Sequence, residues 1–395
     1  MSRLRPLALF PLDDFVVAFS DEAQQLLSLN ATAALVIREL QKGRSPAEAA
    51  ALLASSGETE PEQAARWVDA LLGVLGAHGM IDDGPVRLAA PAPAPPPNDA
   101  EVAPYAPVAA AVEQSYRLLG TTALVRFASR AQVRLVNSVL GHLAVPTAGR
   151  PDVVIEISAA FTDPHNIKSD VYRDGVPVGH ARRLSRLAPI VKIALWQAAV
   201  HAHEHLFNIH AGVVGTESAC ILLPAAAGSG KTSLTVALVQ HGFRYFSDEV
   251  ALIEPAGFRV PPVPLAMAIK STGWDVIARY RPEIAELPIH MRTDGKVLRY
   301  LPPPPGATRQ PPAPVSHVIF PRFEPEAPTR LEPVSRAEAL GRLFNECQSV
   351  PCRLDAGKVD EVVRWIGAVA CFDLSFSSLD RAVELIAGAT GFPGA

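Results

Sequence analysis

The segment Pro224-Ala225-Ala226-Ala227-Gly228-Ser229-Gly230-Lys231-Thr232-Ser233 limits the folds that this chain of 395 residues can adopt. The apolar run 219–223 (ACILL) precedes it and is typical of a buried strand, and a helical pattern continues it over 234–240. A strand, a glycine-rich loop and a helix in that order provide backbone N–H groups and a helix N-terminus that hold phosphate groups. The segment therefore predicts an α/β nucleotide-binding core.

Each residue type in the loop has an expected role toward ATP and Mg²⁺. The glycines let the backbone turn its N–H groups inward, the lysine neutralises the β- and γ-phosphates, and the threonine hydroxyl ligates magnesium. Ala225 stands where the motif usually has its first glycine, so its φ must be negative. The alternative is a structural glycine turn. The predicted nucleotide-binding residues are Gly228, Ser229, Gly230, Lys231, Thr232 and Ser233.

A pair of acidic residues follows the loop helix. The β-rich run 244–254 (RYFSDEVALIE) contains Asp248 and Glu249, which are costly to bury unless they meet a cation. With magnesium on the loop, one carboxylate holds the metal and the other accepts the proton of an attacking hydroxyl. Which of the two is the base stays open at this point; an exposed edge-strand pair is the alternative. We predict Asp248 and Thr232 as metal ligands.

Other polar residues flank this core. His210 precedes Lys231 by 21 positions and begins the hairpin that leads into the loop. We expect it to reach the γ-phosphate or the acid pair, although a histidine in that position is more often structural. Lys270, Arg292, Lys296 and Arg299 are candidates for contacts with phosphate or with an acidic substrate, and solvated surface cations are the alternative. The histidines at 201–205 lack an HExxH pattern and a nearby cysteine, which argues against zinc.

The first 88 residues form a separate pattern. A strand over 14–19 is followed by three helices, the second and third opened by Ser45-Pro46-Ala47-Glu48 and Thr59-Glu60-Pro61-Glu62, and then by a small wing (80–81 and 86–88). This order predicts a winged-helix-like α+β module. DNA binding is disfavoured because Arg66 is the one firm cation of the third helix.

The remaining segments complete the outline. The run 89–97 (AAPAPAPPP) predicts an extended spacer. Residues 109–185 predict an antiparallel accessory layer. Helices are expected at 189–207, 337–346, 358–369 and 379–389, and the strand pieces of the accessory layer at 123–127, 133–135 and 153–157.

The overall composition narrows the functional classes. There are 36 basic and 40 acidic side chains, a net charge of −4, so nothing attracts the chain to nucleic acid or to an acidic membrane surface. Four scattered cysteines without a CxxC pair are typical of reduced thiols. No stretch of 18 apolar residues runs without a charge, proline or histidine. We expect a cytoplasmic protein without a membrane span.

The N-terminal module resembles the PqqD family. The similarity lies in Leu29-Asn30-Ala31-Thr32-Ala33 and in the closing Leu75 with Gly79-Met80-Ile81. The resemblance implies a domain that recognises the leader of a ribosomally made precursor peptide, which adds as a strand to the sheet edge. Backbone hydrogen bonds then supply affinity and side-chain pockets supply selectivity.

The rest of the chain resembles the HPr kinase/phosphorylase family, most of all the HPr-kinase-related enzymes that accompany peptide-modification genes. The shared pattern is the histidine followed by Gly212-Val213, the loop with Lys231-Thr232, the sequence Ser247-Asp248-Glu249, and a lysine near Lys270. The resemblance covers about 105–395, strongly over 205–255. It implies a fold akin to phosphoenolpyruvate carboxykinase and a protein or peptide serine as acceptor.

The same resemblance assigns roles by position. His210 is implied to be an active-site residue beside the phosphates, Asp248 matches the first acid, and Glu249 occupies the position of the proton-accepting aspartate. Two departures argue against the reverse reaction and against HPr as substrate. A glutamate replaces that aspartate, and the family's metal-binding glutamate has no clear match between Val260 and Gly273.

The sequence thus predicts a PqqD-like domain at 1–88, a linker at 89–104, and an HPr-kinase-like P-loop domain at 105–395 with its nucleotide core at about 205–300. We expect an ATP-dependent kinase with catalytic residues His210, Lys231, Asp248 and Glu249, acting on a hydroxyl of a leader-bound peptide. The alternatives are a kinase for free serine or a related small molecule, and a nucleotide-gated leader chaperone without phosphotransfer. A homo-oligomer is compatible with the sequence.

Overall fold

A computed structural model of the protein describes residues 3–55, 59–82, 105, 108–161, 167–216 and 218–391. The chain divides into two compact units. The first comprises residues 1–92 and 333–372, and the second comprises 93–332 and 373–395. The sequence had placed 333–372 in the second domain, so the two divisions differ there. The predicted linker at 89–104 and the second half of the wing lie outside the described residues.

The first unit begins with a small sheet covered by helices. The predicted strand (β3) is present and lies at the centre of an antiparallel sheet of order β2-β3-β4, while β1 pairs with β5. The three predicted helices are also present. The elements are β1 (Arg3–Leu4), β2 (Ala8–Leu12), β3 (Phe15–Ser20), β4 (Gln25–Asn30), α1 (Ala31–Gln41), α2 (Pro46–Ser55), α3 (Pro61–Ala77) and β5 (Ile81–Asp82).

The sequence prediction missed the two strands that flank β3. Asn30 caps α1 by accepting a 2.8 Å hydrogen bond from the Ala33 N–H, so Leu29 precedes the helix and belongs to β4. In the register of the sheet, Leu29 faces Val16 across the strands. Pairing with β3 fixes these short segments, and their local apolar spacing does not reveal it.

The accessory layer of the second unit is a mixed sheet of order β10-β11-β9-β7-β6-β8, with β12 on β11. The expectation of a wholly antiparallel layer was wrong, because β7 and β9 are parallel. The segment 133–135 is helical, since Ser129 and Gln132 form a capping box that starts α4. The elements are β6 (Val112–Leu118), β7 (Thr121–Phe127), α4 (Arg130–Leu140), β8 (Ala144–Val145), β9 (Val153–Ile157), β10 (Ala160–Phe161), β11 (Ile167–Arg173), β12 (Val176–Ala181) and α5 (Leu187–Ala202).

The predicted nucleotide core contains a second mixed sheet. The elements up to its long strand β22 are β13 (Phe207–Ile209), β14 (Ala211–Gly215), β15 (Cys220–Pro224), α6 (Lys231–Gln240), β16 (Arg244–Ser247), β17 (Ala251–Ile253), β18 (Arg259–Val260), β19 (Met267–Lys270), α7 (Trp274–Ala278), β20 (Ile289–Met291), β21 (Val297–Leu301) and β22 (Ala313–Phe323). Short 3-10 turns lie at Gly141–Leu143, Leu184–Arg186, Ser271–Gly273, Pro282–Glu286 and Ala307–Arg309.

The C-terminal elements are β23 (Arg330–Pro333), α8 (Arg336–Asn345), β24 (Cys347–Ser349), α9 (Ala356–Gly367), β25 (Ala370–Phe376) and α10 (Leu379–Thr390). The sheet runs in the order β16-β14-β15-β22-β25-β23, with β14 antiparallel to β15 and β15 parallel to β22. The helices α8, α9 and α10 match the predicted tail helices within two residues at each end. None of the helices in the described ranges combines the length and the apolar character that crossing a bilayer requires.

Residues 333–372 pack within the first unit. The helix α9 lies against β2 and β3, and α8 lies against β3 and β4. Gln24 exchanges two hydrogen bonds of 2.9 Å with the backbone of Leu354, and Arg336 pairs with Asp13. The sequence had predicted these helices from their periodicity, but periodicity identifies an apolar face without identifying the surface that it covers.

We expect Ile366→Ala, which removes a fully buried side chain of α9, to lower the free energy of unfolding of the first unit by about 3 kcal/mol. Hydrogen exchange should then rise in β2 and β3, whereas β14 and β15 of the second unit should keep their protection. Val350→Ala, at a residue with 40% exposure in the same segment, is the matched control and should change neither. Increased exchange in β14 and β15 instead would contradict this packing.

Candidate active site

The loop between β15 and α6 has the backbone that phosphate binding requires. Gly228 and Gly230 adopt φ values of 99° and 83°, which favour glycine. Ala225 is not among the residues with positive φ, so its side chain is accommodated as expected. Gly230 is the N-cap of α6 and, as a glycine, provides no side-chain capping hydrogen bond. The N-terminus of a helix is a favourable position for an anion such as a phosphate group.

A close approach between α6 and β14 brings Lys231 to His210. A Cβ atom on Gly212 would lie 2.7 Å from the Thr235 hydroxyl, so this strand position requires glycine. His210 lies between β13 and β14, and its Nε2 is 2.7 Å from the Lys231 ammonium, which donates to it. Lys231 is only 7% exposed. A histidine and the loop lysine, 21 positions apart in sequence, thus share one end of the sheet.

The acidic pair occupies a bend rather than the middle of a strand. The strand β16 ends at Ser247, whose hydroxyl accepts hydrogen bonds from the Glu249 and Val250 N–H groups at 3.3 and 3.1 Å. The chain resumes as β17, which pairs with β13 instead of continuing in the larger sheet. The bend turns Asp248 and Glu249 toward the phosphate loop, where both line the same cavity.

Asp248 is a buried carboxyl with one unused oxygen. Burial raises the pKa of Asp248 to about 6, against the charge of Lys231 and a hydrogen bond from the Thr232 hydroxyl, which lower it. Within the described part of the chain, no hydrogen-bond donor reaches its Oδ1 atom. A buried carboxylate oxygen beside a threonine hydroxyl is a suitable ligand pair for Mg²⁺. The residues present therefore fit a magnesium ion at Thr232 and Asp248.

Glu249 has a partner that the sequence did not reveal. The ammonium of Lys192, a 4% exposed residue of α5, lies 2.6 Å from Glu249 Oε2. Burial alone would raise the pKa of Glu249, but the charge and hydrogen bond of Lys192, with smaller effects of Arg292 and Lys231, lower it. The available signal was a single lysine inside the otherwise apolar pattern of α5, because such a charge needs a buried partner.

One cavity of about 550 Å³ collects nearly all of the predicted site residues. Its polar lining comprises His210, Gly228, Gly230, Lys231, Thr232, Ser233, Asp248, Glu249, Lys270, Thr272, Arg292 and Lys296. Arg292 and Lys296 both pair with Asp294, at 2.8 and 3.0 Å. Arg299 is not part of the lining; it packs over the Trp274 ring and donates to the Ile284 carbonyl. The roles of the gathered residues stay predictions.

Comparison with known proteins concerns the first unit. Residues 16–81 match the family described as coenzyme PQQ synthesis protein D (PqqD). This part of the chain is a PqqD domain. The match begins one residue inside β3 and ends at β5, so it includes β4 and the three helices. The expected leader-recognition family is confirmed for these residues, and the match does not extend to the cavity of the second unit.

Solved structures give two further similarities. The structure titled "Lasso peptide synthetase B1 complexed with the leader peptide" is 36% identical over 20% of this chain and 95% of its own, with a TM-score of 0.19. "TbiB1 in Complex with the TbiA(beta) Leader Peptide" is 16% identical over 21% of this chain and 96% of its own, with a TM-score of 0.19. No protein of curated function matches the chain in sequence.

The PqqD domain has its own cavity of about 290 Å³ among α1, α2 and α3. Its lining is Asn30, Thr32, Ala33, Val36, Leu53, Trp67, Ala70 and Leu71. Trp67 is 47% exposed, which is high for so large an apolar side chain. In the three-stranded sheet of this domain, β4 is an outer strand with β3 as its neighbour. An outer strand beside an apolar pocket is the combination that strand addition of a peptide uses.

We expect Asp248→Asn to stabilise the second unit at neutral pH. Because the native pKa is raised above the usual 3.8, the native state loses stability as the pH rises from about 4 to 6, and the full cost remains above pH 6. The variant removes a cost of roughly 3 kcal/mol at pH 7.5 and much less at pH 4. Denaturant unfolding at both pH values measures this, with exposed Glu286→Gln as the control. A variant less stable than the parent at pH 7.5 would refute the conclusion that the buried Asp248 carboxylate destabilises the native state.

Proposed function

We propose that this protein is an ATP-dependent phosphotransferase that phosphorylates a hydroxyl group, with serine as the expected acceptor, on a ribosomally made precursor peptide. The observation that carries the proposal is the single cavity in which the glycine loop, Lys231, His210 and the acidic bend meet. Phosphoryl transfer depends mainly on positioning and on charge neutralisation. A loop for phosphate, a site for magnesium and a second carboxylate supply these requirements.

Each residue has a role that follows from its surroundings. The loop N–H groups and Lys231 bind the phosphates, His210 holds the lysine ammonium through Nε2, and Thr232 with Asp248 holds magnesium. Magnesium, when bound, neutralises phosphate charge. Glu249 then accepts the hydroxyl proton. The lowered pKa of Glu249 is compatible with this role. In a loose transition state the hydroxyl proton leaves late, so the orientation of the carboxylate matters more than its basicity. Lys192 supplies that orientation through Oε2.

Peptide recognition is the proposed task of the PqqD domain. Two similar solved structures carry leader peptides by their titles, and the domain here offers the outer strand β4 and the Trp67 cavity. A leader bound in this way tethers the rest of the peptide to the enzyme. Tethering raises the effective concentration of the acceptor hydroxyl, so weak contacts in the catalytic cavity suffice.

The first test incubates the full-length protein with Mg²⁺, ATP and candidate synthetic precursor peptides. Mass spectrometry should show the gain of one phosphate on a peptide serine. Lys231→Ala should lower the rate by about 100-fold or more, because it removes a charge that stabilises the transferring group. Lys168→Ala, at an exposed lysine of β11, is the matched control and should keep the parent rate.

Other outcomes of the same incubation distinguish the alternatives. Peptide binding that responds to ATP without any covalent phosphate would replace the kinase proposal with a nucleotide-gated chaperone. Phosphate transfer to free serine in the absence of any peptide would indicate a small-molecule kinase. If the protein did not bind ATP in the presence of magnesium, the peptide kinase, the nucleotide-gated chaperone and the small-molecule kinase would all be excluded.

The second test concerns the leader site alone. We expect Trp67→Ala to weaken binding of the same precursor peptides by about tenfold, because it removes the largest side chain of the cavity lining. Val74→Ala is the matched control, since Val74 lies on the same helix, is also 47% exposed and is not part of the lining. Fluorescence polarisation with labelled peptide measures both, and ATP affinity should be unchanged. Equal losses in the two variants would contradict a specific pocket.

A further inference from the structure

One wall of the cavity in the second unit is apolar. Binding of phosphate, magnesium or a hydroxyl group does not require such a wall. Phe323, Phe376, Val276 and Leu379 contribute to it. Phe323 and Val276 are 45% and 38% exposed, so apolar surface is presented to solvent within a site that also contains several charged side chains. A ligand that is highly charged at one end and flat and apolar at the other would match both parts of this cavity.

The strand order places this wall on a definite side of the phosphate loop. In the sequence of strands β16-β14-β15-β22-β25, the loop follows β15, while Asp248 follows β16 on one side. Phe323 ends β22 and Phe376 ends β25 on the other side. Since β15 and β22 are parallel, Phe323 and the loop lie at the same edge of the sheet. The transferring end and the apolar end of a bound nucleotide would thus point to opposite sides.

The contacts of Phe323 separate its backbone from its ring. The backbone N–H donates a 2.9 Å hydrogen bond to the Ser229 carbonyl, and its Cβ lies 3.0 Å from the position that a Cβ on Gly230 would take. These atoms support the phosphate loop. The ring extends beyond them and meets the 1% exposed Phe376 edge to face, with centroids 5.7 Å apart. Phe376 therefore props the ring of Phe323, and the other part of that ring remains accessible.

We propose that the ring of Phe323 is the platform on which the purine base of the nucleotide stacks, with Phe376 as its support. The proposal rests on the proposed function, because it assigns the far end of the same nucleotide. Stacking of a base on an aromatic ring strengthens binding by roughly 5- to 150-fold. Val276 and Leu379 enclose the apolar region beside the ring.

The test compares ATP with inorganic tripolyphosphate, both with Mg²⁺, by calorimetry on the full-length protein. Phe323→Ala keeps the Cβ and the backbone hydrogen bond that support the loop and removes only the ring. We expect the affinity for ATP to fall by about tenfold while the affinity for tripolyphosphate stays unchanged. Phe323→Trp, which restores an aromatic face, should recover most of the affinity for ATP.

Each other result has a definite meaning. Unchanged ATP affinity in Phe323→Ala would overturn the base platform while leaving the phosphotransferase proposal intact. Equal losses for ATP and tripolyphosphate would show that the ring only supports the loop, and would overturn the platform as well. If the parent protein bound neither ligand, the proposed function itself would fail, and the platform with it.

Discussion

The close approach of the helix α6 to the strand β14 is the constraint on which the site depends. Gly212 allows it, because any side chain there would meet Thr235. This contact places Lys231, at the first turn of α6, within hydrogen-bonding distance of His210. The loop itself must then turn its backbone, and its glycines allow this turn.

This arrangement buries charged side chains, which lowers the stability of the folded state. Asp248 is held at 3% exposure with its pKa raised, and Glu249 stays ionised because a buried lysine from the accessory layer reaches it. Active sites commonly retain such destabilising groups for their function. The accessory layer therefore contributes, through α5, the buried lysine that pairs with Glu249. Its sheet and the helices α4 and α5 share one apolar core.

The first unit combines the N-terminal residues 1–92 with the distant segment 333–372. The helices α8 and α9 cover one side of the PqqD sheet, so that the domain is completed by residues more than 300 positions away. The cavity beside Trp67 and the outer strand β4 belong to the same unit. The proposed leader site thus has a scaffold built from two segments that are far apart in the sequence.

The sequence by itself determined the features that local chemistry encodes. Glycines with positive φ, capping residues and apolar periodicity act over a few positions, so the glycine-rich loop between a strand and a helix, the PqqD helices and the tail helices were predictable. Only the tertiary structure decided that Lys192 pairs with Glu249, that Phe323 faces the cavity, and that α8 and α9 cover the first unit. The physical reason is that a sequence marks a side chain as apolar or charged, whereas burial by distant strands and helices selects the partner that it meets.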